Sequence, residues 1–488
     1  GVGITIIESP TVVITNPAPI DFPATADLTA TSVTAGSSPE LAFAYFTDAA
    51  TTTTVADPTA VGIGTYYIVG TNDAGCSSNA ASVNVRNSST IYVDGALSDG
   101  FPDSTINAVI QDNFIMNANL SAFNLTVNQG YTITVASGTT LTVENGIINN
   151  AGVTGIVVEN NGVLLQTATS PNDSDLVLAT VKCNSSNLYR QDYTLWSSPV
   201  SGQNLRAFSN MTLFNRFYSY DPALGTIGDY AQEIFTTGDL NTKLFTNSKG
   251  YLIRMPNDWA EFVDSSIAGL QYNGIFKGTL NNGTISIPLS TANIGFNLVG
   301  NPYPSPISIS AFFTENSGIQ QTLYFWRKRN GAAGSGYATT NSLGLVSAQV
   351  SVNGLDMQNT IKPGQGFFVK SEGATALTFT NSMRTNTTST PFLRTATSTE
   401  LHRFWLNLST ATGVVGQTLI GYSTGASQGF DDGLDAPYFN DSALALTSLV
   451  DGNEHIIQGR SVPFVTSDVV PLGFKSDIAN NFTISLSN

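Results

Sequence analysis

The chain has 488 residues and carries 19 Lys and Arg against 35 Asp and Glu, a net charge of −16. That balance sets it against polyanions, so nucleic acid and anionic membrane surfaces are poor partners. Charged residues make up only 11% of the sequence and hydrophobic residues 41%. Thr, Ser, Asn and Gly therefore fill the surface between Val-, Ile-, Phe- and Tyr-rich runs, and the composition predicts an all-β protein of several domains.

No apolar run reaches the roughly 18 residues of a membrane-spanning helix. GVGITIIES, at 1–9, reads as the last strand of a preceding repeat, and no signal peptide opens the chain. Both features predict a piece of a longer polypeptide. Residues 10–87 form the first whole module. TVVIT, ATADLTA, LAFAYF, GTYYIVGT and ASVNVR read as strands, with turn-prone NPAP, TAGSSPE and NDAG between them. The module has the size of an immunoglobulin-like sandwich.

Residues 88–187 read as a strand-rich spacer. FNLTV, YTITV, TLTVENGIIN, GIVVEN and GVLLQT follow at close spacing, with Asn-Gly pairs at 145–146 and 161–162. A few coils of a β-helix, or a series of hairpins, would give this pattern.

Residues 188–398 carry a duplication. YTLWSSP (193–199) aligns with FNLVGNP (296–302), RFYSY (216–220) with TLYFW (322–326), GYLIRM (250–255) with GFFVKS (366–371), and GIFKGT (274–279) with LTFTNS (377–382). Four blocks in one order predict two related β-sandwich-like units. In both copies the first strand ends at proline, a structural requirement. The unequal loops 221–249 and 327–365 should lie on equivalent edges, where β scaffolds usually bind. Residues 399–488, with HRFWLNLS, GQTLIGYST, EHIIQGRS, VVPLGFKS and NFTISLS, predict a terminal β-sandwich whose last strand awaits a partner further along the polypeptide.

Two resemblances follow from these motifs. PTVVITNPAPIDFPATADLTATSVTAGS, YFTDAATTT and GTYYIVGTNDAGCS resemble the Ig-like repeats of large surface proteins of Flavobacterium-type Bacteroidetes. Members of that group often pair a Cys near position 21 with one at the position of Cys76. Asp21 stands here instead, which implies a free Cys76 thiol. From about residue 186 onward, YRQDYTLWSSPVSGQNL, NRFYSYDP, GYLIRMPNDW, GFNLVGNPYPSPI, LYFWRKRNGA, GQGFFVK, LTFTNSMRT, HRFWLNLS, YFNDS and IQGRSVPF resemble a C-terminal region of secreted flavobacterial proteins. That region precedes a sorting domain read by the type IX secretion system. The resemblance implies export across the outer membrane and display at, or release from, the cell surface.

Candidate chemistry is sparse. His402 and His455 are the only histidines, neither accompanied by a nucleophile elbow, and they read as ordinary polar residues. Cys76 and Cys183 fall in different modules and do not predict a disulfide. Asp258, Glu261 and Asp264 beside Trp259 invite comparison with a glycosidase pair, but closeness along the chain does not make a cleft. No catalytic residue is assigned.

The binding candidates are Trp259, on a loop where an exposed ring could stack on a sugar, and the basic run Arg327, Lys328 and Arg329. Trp196, Trp326 and Trp405 read as strand and core residues. Asp431, Asp432, Asp435 and Asp441 are the candidate cation ligands, with Ca²⁺ the ion their oxygens would take and a solvated acidic loop the alternative. DST at 103–105 and DSA at 441–443 resemble the O-glycosylation signal of exported Bacteroidetes proteins.

The expected function is a non-enzymatic secreted surface protein, a repeat-containing adhesin. Its expected partners are the type IX secretion machinery during export and surface glycans afterwards. The alternatives are the non-catalytic carbohydrate-binding portion of a polysaccharide-degrading enzyme, and a stalk or filament subunit.

Overall fold

The computed structural model describes residues 9–21, 23–168, 177–226, 228–236, 242–264, 269–326, 336–347, 359–386, 402–439, 441–442 and 444–487. Nearly every element is a strand, in agreement with the all-β, multi-domain reading. The chain divides into two compact units. The first comprises Gly1–Phe114, Asn119–Ile133 and Leu141–Ala151; the second comprises Ile115–Ala118, Thr134–Thr140 and Gly152–Asn488.

In the first unit, Ala42–Phe46, Gly64–Thr71 and Ala81–Val85 form an antiparallel three-stranded sheet. Leu28, Val33, Val61, Ile68, Val83 and Val85 close the core of this module. The expected strands TVVIT and ATADLTA are not regular. Ser38 and Ser37 hydroxyls accept the Thr11 and Val13 N–H groups, so side chains take bonds that a ladder would use. Cys76 is a half-buried free thiol, and Asp21 accepts a hydrogen bond from the Ser88 hydroxyl.

Ser89–Val93, Asn107–Ile110, Leu120–Val127 and Thr140–Asn149 then run parallel in adjacent positions. Intervening strands enter a second sheet, the alternation of a β-solenoid. Of the two spacer readings, the coils are the one found. Parallel strands need a crossover between them, and here each crossover is a strand of the other sheet. An asparagine ladder runs up the stack. Asn145 Nδ2 donates to Asn124 Oδ1 at 2.9 Å, and Asn124 Nδ2 donates to Asn107 Oδ1 at 2.8 Å. Asn145–Gly146 is not a hairpin turn but an irregularity inside Thr140–Asn149, where the register shifts between Val143 and Gly146. Asn161–Gly162 does turn the chain, with Asn161 at φ 63.

In the second unit the duplication is visible as topology. The first copy orders its strands Tyr193–Trp196, Tyr251–Arg254, Phe217–Asp221, Asp229–Gln232. The second orders Phe296–Gly300, Gly366–Lys370, Leu323–Trp326, Tyr337–Asn341, Gly344–Ser347. Each opening strand is followed by a short helix, Leu205–Phe208 capped by Asn204 and Ile309–Glu315 capped by Ser308. Each copy also has a flanking antiparallel pair: Leu178–Leu188 with Leu270–Leu280, and Ile285–Pro288 with Ala376–Phe379. The expected boundary at 187/188 therefore falls inside a strand. The first copy begins with Leu178–Leu188, which also pairs in parallel with Ile156–Val158.

The copies pack through an aromatic core that includes Leu195, Phe296, Tyr324, Tyr337 and Phe368. They also exchange backbone bonds reciprocally. Ser197 N donates to Gly364 O at 2.9 Å, and the equivalent Gly300 N donates to Ser248 O at 2.8 Å. Trp196 bridges Gln365 as Val299 bridges Lys249. Gly364 and its counterpart Ser248 both have left-handed backbones, φ 71 and 61. Ser248 bears the steric cost that glycine avoids, and its buried hydroxyl has no partner. Ser248→Gly is expected to raise stability by about 1 kcal/mol, read from urea unfolding.

NPYP belongs to this scaffold. Asn301 Nδ2 donates to Ser305 O and Ile361 O at 2.9 Å each, and Tyr303 OH donates to Gly283 O at 2.6 Å.

The terminal region forms one seven-stranded mixed sheet instead of a closed two-sheet sandwich. Leu343 and Val346, from the second repeat, cover Leu419, Tyr438 and Ile457. The second layer is thus supplied from within the chain. Thr483–Ser487 also has a partner there, pairing antiparallel with His402–Thr410.

Candidate functional site

A cavity of about 290 Å³ opens in the second unit where the two repeats meet the last parallel strands. Stretches from several parts of the second unit build it, Asn160–Val163, Gln271 and Pro306 among them. Leu178–Leu188 supplies Cys183 and Asn184; Tyr193–Trp196 supplies Trp196; Leu323–Trp326 supplies Trp326; the turn after Thr360–Ile361 supplies Lys362 and Gln365. The reciprocal backbone lock brings that turn to the first repeat, and Gln365 Oε1 fixes it by accepting the Lys362 N–H at 3.1 Å.

The walls are aromatic, amide and hydroxyl. Trp196 is 3% exposed and packs edge-on to Phe208, Tyr272 and Phe276, yet its indole N–H has no acceptor among the described residues. Trp326 is half-buried and donates through Nε1 to Tyr193 O at 3.0 Å. Asn184 and Gln271 stand exposed at the rim. Two lysines line the cavity. Lys182 is held by Glu159 at 2.6 Å; Lys362 is exposed and has no ion pair among the described residues. Among the described residues, none that lines the cavity is a carboxylate. Burial pushes the Cys183 thiol up to about 12, against the pull of the Lys362 ammonium. It stays protonated and is a poor nucleophile or metal ligand at neutral pH.

The residues singled out from sequence are placed elsewhere. Trp259 lies on a loop, half-buried, with its ring 6.2 Å from that of Tyr272, and it does not line the cavity. Glu261 is bound to Arg190, so it and Asp258 do not form a free acid pair. Arg327, Lys328 and Arg329 lie outside the described residues, as do 330–335 and 348–358; the stretch 327–365 is not one loop, since it holds the strands Tyr337–Asn341, Gly344–Ser347 and Thr360–Ile361, and its end forms part of the cavity wall.

Each of the four aspartates accepts hydrogen bonds from neighbouring backbone or hydroxyl groups, while Asp441 Oδ1 is buried with no hydrogen-bond partner among the described residues. Asp435 is fully buried and accepts the Asp431 and Gly459 N–H groups at 2.6 and 2.7 Å. Asp431 accepts the Ser427 hydroxyl at 3.1 Å, Asp432 accepts the Gln321 N–H at 2.8 Å, and Asp441 accepts the Gly336 N–H. These bonds fasten an irregular acidic loop to the sheet and to the second repeat. Among the described residues no group of three or more His, Cys, Asp and Glu is placed to hold a metal ion.

Burial also pushes the Asp435 carboxyl up to about 6. Its folded form binds a proton more tightly than its unfolded form, so its contribution to stability falls as pH rises from about 4 to about 6. His455, 4% exposed, is held below the usual histidine range by burial. Its contribution instead rises as pH increases toward the unfolded value near 6.5. Comparing the wild type with Asp435→Asn isolates the first effect. The melting temperature of the wild type should fall relative to the variant between pH 4 and pH 7, and a constant difference would show that the carboxyl does not titrate there.

Fold and cavity together define a multi-domain all-β protein with a small aromatic and amide-lined pocket at a repeat junction. A family model matches residues 97–488, and the chain belongs to that family, described as Domain of unknown function (DUF8693). The match takes in the later solenoid strands, both repeats and the terminal sheet, and leaves the Ig-like module outside. No curated protein matches the chain.

Proposed function

We propose that the chain is a non-enzymatic portion of a secreted, surface-displayed binding protein, a repeat-containing adhesin exported by the type IX secretion system. The cavity carries the binding half of this reading. Flat rings, amides and hydroxyls recognise polar ligands, whereas acid–base catalysis most often uses a positioned carboxylate or histidine, and none of the described lining residues is either. The resemblance of 186–488 to the region preceding a sorting domain supports export. The neutral polar surface left by a charged fraction of 11% agrees with an extracellular setting.

The test is antibody labelling of intact cells that make the parent protein. Surface signal should be present in cells with a working secretion machinery and absent in cells without it. Signal confined to lysed cells would sink the proposal. The same cavity also favours a second reading, the glycan-binding portion of a polysaccharide-degrading enzyme. A hydrolase or lyase module elsewhere in the parent polypeptide would decide for it.

A further inference from the structure

We infer that the repeat-junction cavity takes one acidic sugar residue, a hexuronate of a surface or matrix polysaccharide. The inference rests on reading the second unit as a binder and adds the ligand class and the site.

Three observations converge. The cavity, about 290 Å³, is at the small end of ligand pockets and matches one or two sugar rings more closely than an extended polymer. Trp196 and Trp326 line it, so its wall carries aromatic surface on which a sugar ring can pack. Lys362 brings a positive charge with no carboxylate against it among the described residues, in a chain whose net charge is −16. Lys182, by contrast, is already neutralised by Glu159.

A neutral sugar would use the ring of Trp326 and the amides of Asn184, Gln271 and Gln365. A carboxylate also pairs with Lys362 through a charge-assisted hydrogen bond, stronger than the ammonium's bond to a neutral hydroxyl. A phosphate would meet the same lysine and the amide donors but leave the aromatic wall without a partner.

The test titrates the full chain with D-galacturonate and D-glucuronate, with galactose, glucose and acetate as controls, by calorimetry and tryptophan fluorescence. Uronates should bind about tenfold more tightly than the parent sugars, the difference one favourable ion pair supplies, and acetate alone should not bind measurably. Lys362→Ala should erase the preference for the acid. Ser186→Trp, at an exposed lining position, should close the mouth and abolish binding of both kinds, with unchanged circular dichroism and melting. Equal binding of acid and parent sugar, uronate binding that survives Ser186→Trp, or no binding at all would overturn the assignment. Surface display without uronate binding would defeat the cavity assignment and leave the adhesive reading standing. Uronate binding by a protein absent from the cell surface would do the reverse.

Discussion

Trp196→Ala is expected to lower the stability of the second unit by about 4 kcal/mol. The side chain is 3% exposed, and its ring lies 5.2 Å from Phe208, 5.9 Å from Tyr272 and 6.1 Å from Phe276, all edge-on. Truncation removes the centre of that cluster and enlarges the neighbouring cavity, so the lost transfer free energy and the cavity cost add. The strand itself should survive, since Trp196 pairs through its backbone with Tyr251 and bridges Gln365. Urea unfolding measures the loss, and Trp196→Phe should recover most of it. A loss below about 1 kcal/mol would mean that the ring does not organise the junction. Because the same ring walls the pocket, Trp196→Ala should also abolish sugar binding in the folded variant.

Gly300→Ala should cost about 3 kcal/mol. A Cβ at this position would lie 2.2 Å from Ser197 Cβ and 2.9 Å from Gln365 O. Neither atom is the free end of a flexible side chain, so the two repeats would have to separate. Separation breaks the Gly300 N to Ser248 O bond and strains its counterpart, Ser197 N to Gly364 O. The two positions should be coupled: adding Ser197→Gly removes the nearer clash, and a double-mutant cycle should show recovery of part of the loss. Strict additivity would show that the repeats are not locked together at this point.

Both predictions concern a junction that was legible in the sequence only as a pair of motifs. YTLWSSP and FNLVGNP announced the duplication because each copy keeps an apolar strand stopped by proline. That the copies exchange backbone bonds was not legible, since the bonded residues lie far apart in sequence and belong to different copies. Leu178–Leu188 falls almost wholly within the bounds 88–187 read from sequence as the spacer. In fact it is paired on both sides, in parallel to Ile156–Val158 and antiparallel to Leu270–Leu280.

Asn145–Gly146 misled in the opposite direction. The pair has hairpin chemistry, but stacking of Asn145 on Asn124 and Asn107 holds it inside a strand. Among site residues, Trp196 was read correctly as buried, yet its role in the cavity depends on Lys362 and Gln365 arriving from the other repeat. Trp259 reads as a sugar platform from its loop context, and the structure places it half-buried on that loop, outside the cavity lining. Adjacent carboxylates are conspicuous in sequence, whereas the backbone N–H groups that bond Asp435 and Asp432 become visible only in the fold.

On the proposed reading, Trp196, Trp326 and the amides would position a sugar ring without altering it, while burial pushes the Cys183 thiol up to about 12. The most direct measurement is incubation of the chain with a uronate-rich polysaccharide, followed by co-sedimentation and an assay for new reducing and unsaturated chain ends. The polysaccharide should co-sediment with the protein at unchanged length and with no new ends. New chain ends appearing in proportion to protein concentration would contradict a non-catalytic binding role.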